Sequence, residues 1–169
     1  MEEMIEQLLT LSRLENSSNL EHFKEFNLSH LLKEIYADFT ERHPQRKLCL
    51  NNLENADYFG DPLLITTAIH NLLNNALEFS ERYSEVQLSL EGTNDQYTIS
   101  VTDLGVGIPE YARLQVFDKF YSLPRPDSGR KSSGLGLSIT QEIAKMHQGN
   151  VTLKSQEKGT IAELRLLRL

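Results

Sequence analysis

Between Gly60 and Val101 the sequence asks for one long one-sided helix beside an antiparallel hairpin, and that pairing limits the folds open to the chain. Asp61-Pro62 sets a side-chain acceptor at a helix cap and a fixed φ at the first helical position, where a missing amide costs little. Behind it Ile65, Ala68, Ile69, Leu72, Leu73 and Ala76 share one side of a helix predicted to run to about Phe79. The period then changes. Val86, Leu88 and Leu90 alternate, as do Tyr97, Ile99 and Val101, with a turn from Gly92 to Asp95 between them. Apolar helix and apolar sheet face must cover each other, which predicts an α+β sandwich with helices on one face of a sheet.

The flanks extend this plan. Met1, Met4, Leu8 and Leu11 recur at 3-4-3 spacing, with Ile5 and Leu14 beside them. About four turns of isolated helix is marginal in water, so the stripe needs a partner. The spacing favours the stub of a helical bundle or coiled coil over a helix folded onto its own domain. Asn16-Ser17-Ser18-Asn19 reads as a linker, which divides the chain into residues 1–20 and 21–169. Phe26 and Leu28 suggest a short strand, Ser29 a cap for a helix carrying Leu31, Leu32, Ile35 and Phe39, and Pro44 its end. Leu48 to Leu53 is a strand candidate holding Cys49, expected to be buried. A short helix is expected after Pro109, a polar Gly/Pro/Ser-rich stretch from Ser122 to Ser133, and a helix from about Gly134 to His147 that stops at Gly149. His147 reads there as a C-terminal turn residue. Val151 to Ser155 and Thr160 to Leu166 complete the chain as strands joined at Lys158-Gly159.

Bulk properties narrow the function. A net charge of -7 over 169 residues argues against a nucleic-acid partner, yet it leaves room for a phosphate ligand held by a few placed amides. One cysteine rules out a disulfide framework and suits a reducing compartment. No apolar run approaches about 18 residues, so this stretch of chain is not expected to span a membrane.

Four polar features stand where folding alone does not ask for them. Asn71 and Asn75 lie one turn apart beside the apolar side of their helix, whereas Asn74 points away. Asparagine is a poor helix former; its amide oxygen is a hard ligand suited to Mg²⁺, although satisfying neighbouring backbone is the simpler role. Asp103 shares strand parity with Tyr97, Ile99 and Val101, so its carboxylate aims inward and needs a partner, for which an adenine amino group is suitable. Asp103-x-Gly105-x-Gly107 also fits an ordinary turn. Ser132-Ser133-Gly134-Leu135-Gly136-Leu137 stands at a helix start, where free amides favour phosphate oxygens, but it is neither a P-loop nor a Rossmann fingerprint. Thr160 shares parity with Ala162, Leu164 and Leu166 and so turns inward.

Taken in order, Asn71-Leu-Leu-Asn-Asn75-Ala76, Asp103-x-Gly105-x-Gly107-Ile108, Val116-Phe-Asp-Lys-Phe-Tyr121 and Gly134-Leu-Gly136-Leu137 resemble the N, first glycine, F and second glycine boxes of sensor histidine kinases. Gly60-Asp61-Pro62 and Gly159-Thr160 are similar to that family too. Leu9-Thr-Leu-Ser-Arg-Leu-Glu15 resembles the end of the second helix of its dimerisation and phosphoacceptor domain. Ser122-Leu-Pro-Arg-Pro126 followed by Lys131-Ser-Ser-Gly134 looks most like CreC-type sensors.

The resemblance implies a Bergerat fold, a two-layer α/β sandwich whose mixed sheet is covered by helices on one face, preceded by a stub of dimerisation helix. It implies ATP and Mg²⁺ as cofactors, with Asn75 on the metal and Asn71 supporting the phosphates. Asp103 would bind the adenine amino group with Thr160 beside it through water, and Gly105, Gly107, Ile108 and Phe79 would border the base. Gly134, Leu135, Gly136 and Leu137 would cradle the phosphates, and residues 118–133 would form a lid. The implied partners are the protein's own dimerisation domain, in a homodimer, and a response regulator. The implied setting is the cytoplasmic side of a bacterial inner membrane. The resemblance also marks two departures. Glu78 stands where the family often has Lys or Arg, and none of His22, His30, His43, His70 and His147 is followed by an acid as the phosphoacceptor would be. An anti-sigma serine kinase is the alternative within the same fold, with a gyrase- or MutL-type hydrolase third. The hydrolases place a water-activating Glu where this chain has Asn71.

Overall fold

The computed structural model describes residues 2–16, 21–51, 55–126, 129 and 131–168. The predicted linker residues 17–19 and Leu53 lie outside them. Helix α1 (Glu2–Asn16) precedes strand β1 (Lys24–Asn27), helix α2 (Leu28–Arg42), strand β2 (Lys47–Asn51) and strand β3 (Asp57–Gly60). Then come α3 (Pro62–Phe79), β4 (Glu85–Gly92), β5 (Gln96–Asp103), a single 3₁₀ turn (Glu110–Ala112), α4 (Gly136–Met146), β6 (Asn150–Ser155) and β7 (Thr160–Leu167). Five strands form one sheet in the order β2-β4-β5-β7-β6; β2 and β4 run parallel and every other pair antiparallel. Strands β1 and β3 make a separate antiparallel ribbon.

The apolar parity of each strand turns to one side. Val86, Leu88 and Leu90 of β4, Tyr97, Ile99 and Val101 of β5, and Ala162, Leu164 and Leu166 of β7 are buried with Ile65, Ile69, Leu72 and Leu73 of α3 and Ile139 and Ile143 of α4. Each fully buried Leu or Ile contributes on the order of 1.5–3 kcal/mol, so this layer supplies much of the driving force for folding. Both ends of α3 are capped as the sequence suggests or better. Asp61 accepts hydrogen bonds from the amides of Leu63 (2.9 Å) and Leu64 (3.2 Å). At the other end the Arg46 guanidinium donates to the carbonyls of Leu77 (3.0 Å) and Glu81 (2.9 Å), which answers groups that a helix C-terminus leaves open.

Several expectations change in detail. Ser29 is not the cap of α2: the cap lies two residues earlier, at Asn27, whose backbone is extended and whose side chain accepts from the His30 amide at 3.0 Å. Ser29 is buried inside the first turn. Cys49 lies in β2 but is only half-buried, because Leu48 has the inward parity and β2 is an edge strand. The segment after Pro109 forms one 3₁₀ turn, and α4 starts at Gly136. The left-handed residue that ends α4 is Gln148 (φ 55°). Gly149 is required for a different reason, since a Cβ there would lie 1.8 Å from the Arg165 carbonyl oxygen. Helix α1 packs on α4 through buried Leu11 and Leu14, while Ile5, Leu8 and Leu9 face outward, so its apolar residues divide between two directions.

His147 is more than a turn residue. It is 1% exposed, Nδ1 lies 2.8 Å from the Ile143 carbonyl, and Nε2 accepts from the Asp61 amide at 3.0 Å. Phe23 stacks on its ring with centroids 4.7 Å apart. An imidazole that must accept at Nε2 has to be neutral, and burial holds its pKa below the ordinary 6.5. Burial depresses His70 as well. Groups so depressed contribute stability that is complete above about 6.5 and is lost as pH falls toward the folded-state value. The urea midpoint should therefore fall between pH 7 and pH 5. His147→Phe should start lower and show a smaller fall, because His70 still titrates. An undiminished fall in that variant would locate the dependence elsewhere.

Candidate functional site

The C-terminal half of α3, the end of β5, the start of α4 and the start of β7 converge on two adjoining cavities. The first is mainly apolar, about 100 Å³, and is lined by Leu72, Ala76, Phe79, Val101, Ile108, Val116, Leu137 and Leu153 with Asp103 and Thr160 among them. The second is polar, about 260 Å³, and is lined by the amides of Gln7, Asn71, Asn74 and Asn75 together with Glu78, Arg125, Lys131, Ser132, Ser133 and Gly136. Asn75, Ser132 and Gly136 border both, so the two cavities form one bipartite cleft.

Asp103 ends β5 opposite Thr160 of β7, and its inward parity leaves it 6% exposed. The Gly105 amide donates to Oδ1 at 2.8 Å, and the Thr160 amide also donates to the carboxylate. Burial nevertheless pushes its pKa up from the ordinary value, the two amides pulling back against it. A buried acceptor with spare lone pairs at the end of an apolar slot can read a planar ligand that offers an N–H. The glycine after it is a close-approach position. A Cβ on Gly105 would lie 2.1 Å from the Phe79 carbonyl oxygen, and the neighbouring Val106 amide donates to that same oxygen at 3.3 Å.

Asn71 makes definite contacts. Its Nδ2 donates to the Gly136 carbonyl (3.1 Å) and to Thr140 Oγ1 (3.4 Å), which ties the middle of α3 to the first turn of α4. Asn75 reaches both cavities, and Asn74 is exposed at the polar rim. Helix α4 has no side-chain hydrogen bond at its N-cap, and Gly136 and Leu137 of its first turn line the cleft, which puts the positive end of the helix dipole beside it. Gly107, Ile108, Gly134, Gly136 and Leu137 line the apolar cavity. The Leu135 side chain does not; it is fully buried in the core, and its amide donates to Ser133 Oγ at 3.3 Å.

The loop between the F-box-like segment and α4 is closed at its neck. The Phe120 amide donates to the Gly134 carbonyl at 3.0 Å, and a Cβ on Gly134 would lie 2.5 Å from the Phe120 carbonyl carbon. Ser122 Oγ accepts from the Ser132 amide at 3.0 Å. This brings Tyr121, Ser122 and Leu123 into the wall of the apolar cavity, Arg125 and Lys131 into the polar one, and Ser132 into both. Of these, Tyr121, Ser122, Leu123, Arg125 and Lys131 are marked by the sequence only as part of a lid, and Gln7 is not marked at all. Lone charges in a Ser/Pro/Gly stretch have no periodicity to betray where they point.

A family model described as histidine kinase-, DNA gyrase B-, and HSP90-like ATPase matches residues 60–169. The chain belongs to that family. Sensor protein CreC of Escherichia coli strain K12 is 36% identical over 170 residues, which is 99% of this chain and 35% of CreC. The chain thus spans about a third of the length of the curated relatives it matches. Among solved structures, the catalytic domain of histidine kinase ThkA superposes with a TM-score of 0.76 at 26% identity, over 86% of this chain and 95% of that one. ThkA in complex with the response regulator protein TrrA gives a TM-score of 0.81 at 24% identity, over 99% of this chain and 47% of that chain. The expected kinship with sensor histidine kinases, CreC among them, and the expected two-layer fold are borne out.

The close approach at Gly105 carries a direct test. Gly105→Ala should destabilise the domain by about 1–3 kcal/mol, since neither the Phe79 backbone nor Asp103 can retreat without opening the cleft. Urea denaturation measures it, and a change under about 0.5 kcal/mol would show that the α3 terminus yields easily.

Proposed function

We propose that this domain binds Mg-ATP in the bipartite cleft and donates the γ-phosphoryl group to a histidine on a dimerisation domain, from which a response regulator then receives it. The observation that carries the reading is the division of the cleft: an apolar slot with a buried carboxylate at one end, opening into a polar chamber under an uncapped helix N-terminus. Those two halves suit a base and a polyphosphate respectively. Bound there, ATP supplies the phosphoryl group and Mg²⁺ offsets its charge.

The donor set fits the metal. Among the described residues no group of three or more His, Cys, Asp or Glu could hold an ion, and Mg²⁺ asks for less: one or two oxygen ligands beside phosphates and water. Asn75 is the ligand we assign, because it alone of the three asparagines borders both cavities. Asn71 holds the α4 N-terminus over the chamber, and Gly134, Gly136 and Leu137 with the Leu135 backbone enclose the phosphates. Asp103 accepts from the adenine amino group with Thr160 beside it; Phe79, Gly105, Gly107 and Ile108 border the ring. Transfer of this kind depends on position and charge, so no covalent nucleophile is assigned to this domain.

Residues 1–20 are assigned to the end of the dimerisation helix and its linker, and residues 21–169 to the catalytic domain. Outward-facing Ile5, Leu8 and Leu9 support that division, since they leave one side of α1 for a further helix. No described helix is long and apolar enough to cross a membrane. The domain is assigned to the cytoplasmic side of a membrane sensor by its likeness to CreC. The hydrolase reading is disfavoured at Asn71, where an amide bonded to Gly136 and Thr140 occupies the place of a water-activating carboxylate.

Calorimetry with ADP and Mg²⁺ should show binding by the parent and a loss of about tenfold or more in Asp103→Ala, the usual scale for a buried charged hydrogen bond. Equal affinity in two folded proteins would sink the adenine assignment. A second pair separates neighbours: Asn75→Ala should lose the Mg²⁺-dependent part of binding, and Asn74→Ala should keep nearly all of it. Similar losses at both would place the metal ligand wrongly.

A further inference from the structure

The polar chamber holds a carboxylate where a polyphosphate is to lie, and its neighbours explain how both can be accommodated. Arg125 Nη2 lies 2.6 Å from Glu78 Oε1, with both side chains about two-thirds or more covered. Glu78 stands one turn beyond Asn74 and Asn75 on α3, and Arg125 comes from the closed-neck loop, where its own carbonyl accepts from the Gly129 amide at 2.8 Å. Lys131 lines the same chamber. The ionisable groups facing the chamber from the described residues are therefore one carboxylate and two cations, a local excess of positive charge in a chain of net charge -7.

Resting on the ATP-binding reading above, we propose that Glu78 is an internal competitor for the phosphates: it occupies the Arg125 guanidinium when the chamber is empty and yields it to the phosphate chain when nucleotide enters. Three observations support an exchange over a permanent bridge. The contact engages one Nη, while Arg125 Nε is buried with no hydrogen-bond partner among the described residues. A buried, unmet donor is costly, so the empty arrangement leaves the guanidinium under-satisfied. A phosphate offers three acceptor oxygens in a geometry that a guanidinium meets through two parallel donors, which one carboxylate oxygen does not. Finally, Glu78 and Arg125 line the polar chamber and neither lines the apolar slot. The competition therefore acts on the phosphates and leaves the base untouched. Lys131 stays in the chamber to offset the carboxylate once Arg125 has left it.

The consequence is a dependence on phosphate number set by an ion pair. Adenosine, ADP and ATP with Mg²⁺ are titrated by NMR into the parent chain, Glu78→Gln and Arg125→Gln, with circular dichroism confirming that each is folded. Glu78→Gln should bind ADP and ATP about two- to fivefold more tightly than the parent, the scale of a partly exposed ion pair, with adenosine unchanged. Arg125→Gln should bind both phosphorylated ligands about tenfold more weakly or worse, again with adenosine unchanged. The Arg125 Nε–Hε resonance, assigned by its loss in Arg125→Lys, should move with ADP and not with adenosine. Weaker or unchanged ATP binding in Glu78→Gln would overturn the proposal, because Glu78 would then orient Arg125 or ignore it. Equal losses for adenosine and ATP in Arg125→Gln would also overturn it, making the pair a structural bridge. If the parent binds none of the three ligands, the ATP-binding reading itself falls and the exchange with it.

Discussion

Helices α3 and α4 are fastened to each other at two points, and the cleft exists because both hold. At one point the buried imidazole of His147, beyond the end of α4, accepts from the Asp61 amide just before α3. At the other the Asn71 amide, halfway along α3, donates to Gly136 in the first turn of α4. The two helices thus run in opposite senses across the same sheet face, and the open N-terminus of α4 is held over the last two turns of α3. Apolar packing alone would let one helix slide on the other, because dispersion and burial have little direction. The two polar contacts supply the register. Each is also shielded, and a hydrogen bond in such surroundings is costly to leave unmade.

The same architecture reconciles an acidic chain with an anionic ligand. Surface charge is screened over about 8–10 Å at physiological salt, whereas groups bordering a cleft act at contact distance. Acidic side chains of the sheet's open face are spent on neighbouring cations: Glu163 bonds Lys154 at 2.7 Å and Arg165 at 2.6 Å, which holds its carboxyl below the ordinary range. Those pairs are remote from the chamber in function because they are neutralised where they stand. Inside the chamber the helix dipole of α4, Arg125 and Lys131 decide the local field, and among the described residues only Glu78 opposes them.

How much of this could be read from the sequence follows the range of each determinant. Asp61-Pro62 was legible because a cap is local, and the inward aim of Asp103 was legible because strand parity propagates without error over six residues. Ser29 misled since Asn27, two residues earlier, is an equally good cap, and the choice is settled by where Ala56 receives the Leu28 amide (2.8 Å), a contact across 28 residues. Strand β3 was missed altogether: Asp57–Gly60 is four residues with a single buried aromatic, and it is a strand only because β1 lies beside it. Gly149 was noticed for the wrong property, a turn conformation, when the Arg165 carbonyl is what excludes a side chain.

The two halves of the cleft differ in the same way, and the difference bears on how such a site can vary. The apolar slot is built from periodic elements, so its residues are tied to the core: Leu72, Val101 and Ala162 line it while also belonging to the buried cluster, and Leu135 braces it from within. Altering the slot means altering the fold. The polar chamber is lined instead by a helix edge, a loop and one residue of α1, Gln7, whose Oε1 accepts from Ser133 Oγ at 2.5 Å. Those groups contribute little to the core, and a charge can be exchanged among them at small cost to stability. A carboxylate on α3 can then be tolerated beside a phosphate site provided that a cation arrives from the loop. Because Gln7 of α1 reaches this chamber, and no described residue of α1 lines the slot, any displacement of that helix acts first on the half of the cleft where the charges are least firmly held.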